Sequence, residues 1–372
     1  MKRTALALTL IVALLFSAVA GTRFVKTAEA ITVPDDYSTI QDAINAATQG
    51  DTVFVERGTY FNQSLIINKT LSLTGEDRET TILRGQLTSI YQPSQVIKIM
   101  ADNVKVSGFT ISESNSSITG SGNGTIIIGN IITQTADNTV KLSGSNCIVA
   151  NNNSTAQGSG IQISGSNNNV TGNIVVASGI AITVVGSFNN VDENRIDSGI
   201  IGHQIEGNSN LITKNDISEG GTGMTFESSS FNVVIANKVT DHNFGAIRLQ
   251  CAFNKLQSSN NNSIIGNYLA HNGFGVQIGN RLCTAESNIF YHNVFVENED
   301  APRIFNETSV NYWDNGKEGN FWDDYDSTDS NRDGIGDVPY VINENNIDNY
   351  PLIAPFYIEN NTKCCRHPNL FQ

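Results

Sequence analysis

Glu206, Glu227 and Arg248 follow one another at a separation of 21 residues. A chain that coils back on itself with that period stacks Glu206 on Glu227, their backbones roughly 4.8 Å apart, and puts Arg248 on the next rung. Two carboxylates so placed approach the separation of about 5–5.5 Å used by retaining glycosidases. Like charges that close split their pKa values, as acid and nucleophile roles require. Arg248 would then hold a substrate hydroxyl or carboxylate. The competing reading is two solvated glutamates on a sheet face, one of them neutralised by Arg248.

Two further sets of residues have the types needed for metal chemistry. Asp329, Asn331, Asp333 and Asp337, with Gly334 for the turn, fall at positions 1, 3, 5 and 9 of a calcium loop. Tyr340 stands where position 12 needs a bidentate acid, so an EF-hand is excluded and a looser Ca2+ loop stapling the C-terminal segment is the expectation. Copper would need His, Met or Cys to converge. His203, His242, His271, His292, Met224, Cys251 and Cys283 show no close ligand spacing, and His203 and Met224 align with inward Ile182.

Those spacings come from a repeat. Asn130, Asn151, Asn173, Asn194, Asn215, Asn237, Asn267 and Asn293 recur at intervals of 21, 22, 21, 21, 22, 30 and 26 residues. Three residues before each stands an apolar residue, from Ile127 and Ile148 to Phe290. Two after it stand Ile132, Asn153, Val175, Ile196, Ile217, Val239, Leu269 and Phe295. A second series, five before the first, runs through Asn146, Asn168, Asn189, Asn210, Asn232, Asn262 and Asn288. A 21-residue unit is too short for a helix pair and suits a coil of three short strands. Ile, Val and Thr supply strands, while Gly, Asn and Ser supply corners. Stacked asparagines would satisfy the polarity of buried turns. The expected fold is an all-β, right-handed parallel β-helix of about 21–22 residues per coil.

The same register puts one strand of each coil on a polar wall. Alternation sends Lys141, Gln162, Thr183, Gln204, Thr225, Arg248 and Gln277 outward in one file. Beside them run Ser143, Ser164, Val185, Glu206, Glu227 and Gln250. This flat face is the expected ligand-binding surface.

The ends must close the stack. Ser38-Thr39-Ile40-Gln41 reads as a capping box, and the stripe Ile40, Ala43, Ile44, Ala47 before Gly50 predicts a cap helix over 38–49. Residues 1–30 read as an export signal, with Lys2 and Arg3 before an apolar run. The β-helix is expected over 31–300, a C-terminal cap with the Asp-rich loop over 301–356, and a tail over 357–372. The scattered Cys147, Cys251 and Cys283, with adjacent Cys364 and Cys365, do not read as a disulfide framework.

The run Ser38 to Ala47, then Gly50-Asp51-Thr52-Val53-Phe54-Val55 and Gly58-Thr59-Tyr60, resembles the start of right-handed parallel β-helix proteins. More narrowly it resembles the NosD-like group with carbohydrate-binding and sugar-hydrolase (CASH) repeats, common in archaeal surface and secreted proteins. Asn311-Tyr312-Trp313-Asp314-Asn315-Gly316, Gly319-Asn320-Phe321-Trp322-Asp323-Asp324-Tyr325, Asp333-Gly334-Ile335-Gly336-Asp337 and Asp348-Asn349-Tyr350-Pro351-Leu352 resemble that group's closing segment. The resemblance spans roughly residues 31–356. The esterase-like G-x-x-D-F catalytic signature is absent, which argues against a pectinesterase, and Lys363-Cys364-Cys365-Arg366-His367 fits no part of the pattern. The namesake group is linked to maturation of a copper site, which the resemblance makes an alternative role.

A net charge of −14 opposes nucleic acid and anionic membranes as partners. The reading that results is an exported protein, secreted or on the cell surface, that binds polysaccharide or surface glycan or builds the surface, with no span in the mature chain. A glycoside hydrolase or lyase using Glu206 and Glu227, and periplasmic copper-site maturation, are the alternatives. Aromatic Tyr312, Trp313, Phe321, Trp322 and Tyr325 are expected to cover the last coil rather than stack on sugars.

Overall fold

A computed structural model describes residues 30–86, 94–252, 255 and 257–356. The proposed export signal, apart from Ala30, and the tail with Cys364 and Cys365 lie outside the described residues. The fold is the expected right-handed parallel β-helix. Each coil contributes one strand to each of three sheets, typified by Asn190–Asp192, Arg195–Ser198 and Ile201–Glu206. Among the described residues the first and second sheets have 12 strands and the third has 11. Pairing is parallel and in register from coil to coil, so Ile182, His203, Met224 and Ile247 form one file, and Val184, Ile205, Phe226 and Leu249 the next.

The inward files are apolar because alternation in a strand sends every second side chain to one face. Val170, Val191 and Ile212 line the core from the first sheet, and Val175, Ile196 and Ile217 from the second; all are fully or almost fully buried. Each such side chain contributes about 1.5–3 kcal/mol. His203 joins its apolar file with no hydrogen-bond partner on either ring nitrogen, and burial drives its pKa down to about 3. His242 is likewise buried, down to about 4.

The asparagines turn the corners between sheets. Asn194 Nδ2 donates to Asn215 Oδ1 at 3.0 Å, and Asn215 Nδ2 to Asn237 Oδ1 at 2.9 Å. The same Oδ1 atoms accept backbone N–H groups of the neighbouring coil, for example Asn194 N to Asn215 Oδ1 at 3.0 Å. The second series forms a parallel ladder, with Asn189 bonded to Asn210 at 3.0 Å and Asn210 to Asn232 at 3.1 Å. The structure corrects both ladders in one coil. Asn152, not Asn151, is the rung between Asn130 and Asn173. Cys147, not Asn146, stands at the matching place in the other ladder, its N–H donating to Asn168 Oδ1. Asn151 and Asn146 instead occupy the left-handed corner position that precedes each rung, at φ 53° and 58°. Glycine takes that corner freely at Gly172; Glu193, Lys214 and Ala236 take it against steric preference.

The expected 38–49 helix is confined to a single short helix, Ile40–Ala46. Thr39, not Ser38, is its N-cap: its hydroxyl accepts from Asp42 N at 3.1 Å and donates to the Asp42 carboxylate at 2.6 Å. The box lies one residue later because Ile40, Ala43 and Ile44 must face the core. At the other end, parallel pairing runs past 300, through Asp300–Ile304 and Phe321–Trp322. Trp313 stacks on Phe290 at 4.4 Å, and Trp322 on Phe295 at 4.3 Å, so both indoles cover the last coil as expected.

Both ladders end in this segment. Asn293 bonds to Asn320, whose amide donates to the buried Asp348 carboxylate at 3.3 Å. Asp348 also accepts from Asn320 N at 2.8 Å and Trp322 Nε1 at 3.0 Å. Gly319 passes so close that a Cβ there would lie 1.8 Å from Asp348 Oδ1. Asn288 bonds to Asn311, and Asn311 N and Trp313 Nε1 both donate to Asn346 Oδ1.

Two measurements check these roles. Asn194→Ala strips partners from four buried polar groups and should cost about 3–5 kcal/mol in urea denaturation. Asn151→Gly, at an exposed left-handed corner, should cost a few tenths of a kcal/mol; equal losses for the two would refute the ladder assignment. Burial raises the Asp348 pKa to about 6, above its unfolded value. Its contribution is therefore complete at pH below about 4 and is lost as pH rises through about 6. The stability gap between the native chain and Asp348→Asn should narrow by roughly 2–3 kcal/mol from pH 4 to 7. A gap that does not change with pH would show that burial does not perturb this carboxyl.

Candidate functional site

The outward face of the third sheet carries the expected file. Lys141, Gln162, Thr183, Gln204, Thr225, Arg248 and Gln277 pair rung to rung. The face is not uniformly open. Lys141 is exposed and Gln162, Thr183, Gln204 and Arg248 are half-buried, but Thr225 and Gln277 are buried, contrary to expectation. Thr225 is a short side chain between the longer Gln204 and Arg248. Gln277 folds back, its amide donating to the Gly279 carbonyl at 3.2 Å.

At the middle of the face the side chains form one connected network. Gln204 Nε2 donates to Glu206 at 3.3 Å and to Glu227 at 3.2 Å. Gln250 Nε2 donates to the other Glu227 oxygen at 3.1 Å, and Arg248 Nη2 donates to Gln250 Oε1 at 3.1 Å. Arg248 thus reaches Glu227 through Gln250, not by a direct bond. Burial lowers the Arg248 pKa, and the nearby Glu227 charge works against that shift. Lys255 lies 3.5 Å from Glu206, brought there by the longer coil that follows Gln250. Glu206 and Glu227 therefore stack as neighbours, each held by amides, which fixes their orientation.

That longer coil also pairs two cysteines. Cys251 and Cys283 form a disulfide between adjacent coils, with Cα atoms 6.1 Å apart, where the sequence suggested no framework. Residues 32 apart in sequence become neighbours because this coil and the next carry insertions. Cys147 is a buried free thiol.

Sequence reasoning missed two exposed phenylalanines, Phe188 and Phe231, on the turn that leaves this sheet. They are 64% and 60% exposed at φ 60°, a conformation rare for aromatic residues. Their signal was available: each precedes a ladder asparagine, Asn189 or Asn232, at the left-handed corner.

The other sets are arranged differently. In the Asp-rich loop, Asp329 accepts from Asp333 N and Gly334 N, and Asp333 accepts from Ile335 N. Asp337 is turned to Ser330 and Thr328, whose hydrogen bonds lower its pKa. For copper, Cys251 and Cys283 are joined, His271 and His292 each face a glutamate (Glu297, Glu318), and His203 and Met224 are core. Among the described residues no three or more His, Cys, Asp or Glu side chains are grouped to hold an ion. The donor set does not fit a copper centre.

A family model described as periplasmic copper-binding protein (NosD) matches residues 254–327. No curated protein matches the chain. Among solved structures, the A-module of an Azotobacter vinelandii mannuronan C-5 epimerase is 16% identical, covering 74% of this chain and 93% of that one, with a TM-score of 0.51. A PL6-family alginate lyase is 14% identical, covering 79% of this chain and 51% of that one, with a TM-score of 0.58. The catalytic domain of a GH87 alpha-1,3-glucanase in complex with nigerose is 10% identical, covering 79% and 69%, with a TM-score of 0.56. At these identities the likeness is one of fold.

Proposed function

We propose that this chain is an exported β-helix protein that binds polysaccharide or surface glycan along the outward face of its third sheet, or builds the cell surface through it. The observation that carries the reading is the Gln204–Glu227–Gln250–Arg248 network, which presents fixed donors and acceptors at one rung spacing. Sugar chains offer hydroxyls at regular intervals, and a rigid file of amides and carboxylates meets them with little ordering cost. Phe188 and Phe231, held strained and exposed beside the face, offer apolar rings on which a sugar can lie. The mannuronan epimerase, the alginate lyase and the alpha-1,3-glucanase that share this fold act on polysaccharides, which supports the same class of ligand. No helix among the described residues is long and apolar enough to cross a membrane.

The second reading is catalysis by Glu206 and Glu227 with Arg248. It is favoured by the stacking of the two glutamates on adjacent rungs. The network weakens it, because Glu227 already accepts from two amides, and Glu206 accepts from one and is paired with the Lys255 ammonium, so both are engaged within the protein. The Asp329–Asp337 loop retains a proposed structural Ca2+ role, for which unchanged melting with and without chelator is the disproof.

A glycan array with the purified full chain, followed by reducing-end release from the best binder, tests the reading. Binding without turnover is the expected result, with Gln204→Ala weakening it about tenfold. Turnover that disappears in Glu227→Gln would replace recognition by catalysis.

A further inference from the structure

The outward file of the third sheet continues past Lys141 at one end and past Gln277 at the other. Register places Lys98 and Thr119 before Lys141, and Arg303 after Gln277. Four members of the file, Lys98, Lys141, Arg248 and Arg303, are cations, and none is an anion. In a chain with 36 acidic and 22 basic residues this is a strong local reversal. The two arginines are engaged: Arg248 bonds Gln250, and Arg303 lies over the rings of Phe274 and Phe305 at 4.7 and 5.0 Å. Lys98 and Lys141 are exposed, two rungs apart, which is roughly 10 Å.

Between them lies a depression of about 290 Å³. Thr119 and Gly120 lie between the lysines, exposed Met100 adds apolar surface, and Ser121 and Ser164 add hydroxyls. The size is near the lower end for a small-molecule site, enough for one ring. An apolar patch with hydroxyls suits a sugar ring, and an ammonium on either side suits anionic substituents on it or on its neighbours. Lys141 is three rungs, about 14 Å, from Gln204, so a chain of a few sugars spans both.

We propose that Lys98 and Lys141 form an anion-recognising subsite, and that the ligand of this face is a sugar chain bearing carboxylate or sulfate groups at this end. The inference rests on the glycan-binding reading and names its ligand class. It also gives the face a direction. Anionic sugars belong at the lysine end, and neutral sugars at the Glu206–Glu227 network, where a second negative charge would be repelled. Nucleic acid is the less suitable polyanion, since two lysines on a chain of net charge −14 do not make the extended basic stripe a phosphate backbone needs.

Calorimetric titration of the purified full chain tests this with four probes. They are oligogalacturonate, its methyl ester, a sulfated galactan oligomer of equal length and a single-stranded oligonucleotide. The expected result is that one or both anionic sugars bind, that the methyl ester binds at least tenfold more weakly, and that affinity falls as salt rises. Lys98→Gln and Lys141→Gln should each weaken the anionic sugar about five- to tenfold and leave binding of the methyl ester unchanged. Equal affinity for the ester and the acid, or lysine variants that bind the acid normally, would overturn the subsite and leave glycan recognition standing. An oligonucleotide held as tightly, through the same lysines, would also overturn it. If none of the probes binds, and the glycan array is blank as well, the glycan reading itself fails, and the subsite fails with it. Both lysines are exposed, so loss of folding is not expected; an unchanged melting curve for each variant confirms that a loss of binding is local.

Discussion

The amide-to-amide bond between asparagines of successive coils is the interaction on which the rest of this molecule depends. A three-stranded coil must reverse direction at each corner, and a corner leaves backbone N–H groups facing inward, where water cannot reach them. An asparagine one rung away meets that need with its Oδ1, while its Nδ2 passes the same demand to the next rung. Apart from Asn168, whose buried Nδ2 has no partner, the arrangement satisfies its members only if the coils are in strict register. The ladder therefore stabilises the stack and also specifies it, since slipping by one residue would strand a column of buried amides.

This logic explains what the sequence revealed and what it hid. The period, the three strands per coil and the inward files were legible because apolar and asparagine positions repeat together. The error at Asn151 was legible too, in hindsight. Reading Asn151 as a rung put polar Asn153 in a series otherwise apolar; with Asn152 as the rung, small, buried Ser154 takes that place and Val149 replaces Ile148. Two adjacent asparagines serve different ends, one for its left-handed backbone and one for its amide, and residue type alone does not separate them. The disulfide was hidden for another reason. Cys251 and Cys283 meet only because two coils are lengthened, and a spacing of 32 has no meaning until the register of those insertions is known. Thr225 and Gln277 were placed on the correct side of the sheet, but facing outward is not the same as being exposed when neighbours are longer or a side chain bonds its own turn.

The site inherits its geometry from the same register. Nothing about Glu206 and Glu227 is unusual alone; their relation comes from being one coil apart. A rung spacing near 4.8 Å brings like charges into contact distance, and the amides of Gln204 and Gln250 are what make that tolerable. The face is thus a sheet surface on which charge varies along the stack: ammonium groups at one end, carboxylates in the middle, guanidinium groups beyond. Rigid, periodic presentation of this kind favours a ligand that is itself extended and periodic.

The way the two ladders stop shows that the constraint extends to the last rung. An asparagine at the end of a series would have an Nδ2 with no further rung to receive it. The second ladder solves this by folding the chain back: Asn346 Nδ2 donates to the Ser309 carbonyl and to Asn343 Oδ1. The first solves it with a different residue. Asp348 has only acceptors when ionised, and it sits where only donors arrive, from Asn320, Trp322 and the Tyr350 N–H. An aspartate is the residue that ends a chain of donors without creating a new orphan, yet its burial raises the cost of its charge. The indole of Trp322 both covers the final coil and supplies one of those donors, so the hydrophobic lid and the polar terminus are one device. That double duty accounts for the asparagine, tryptophan and aspartate of the closing segment through packing and hydrogen bonding alone, with no appeal to a bound ligand.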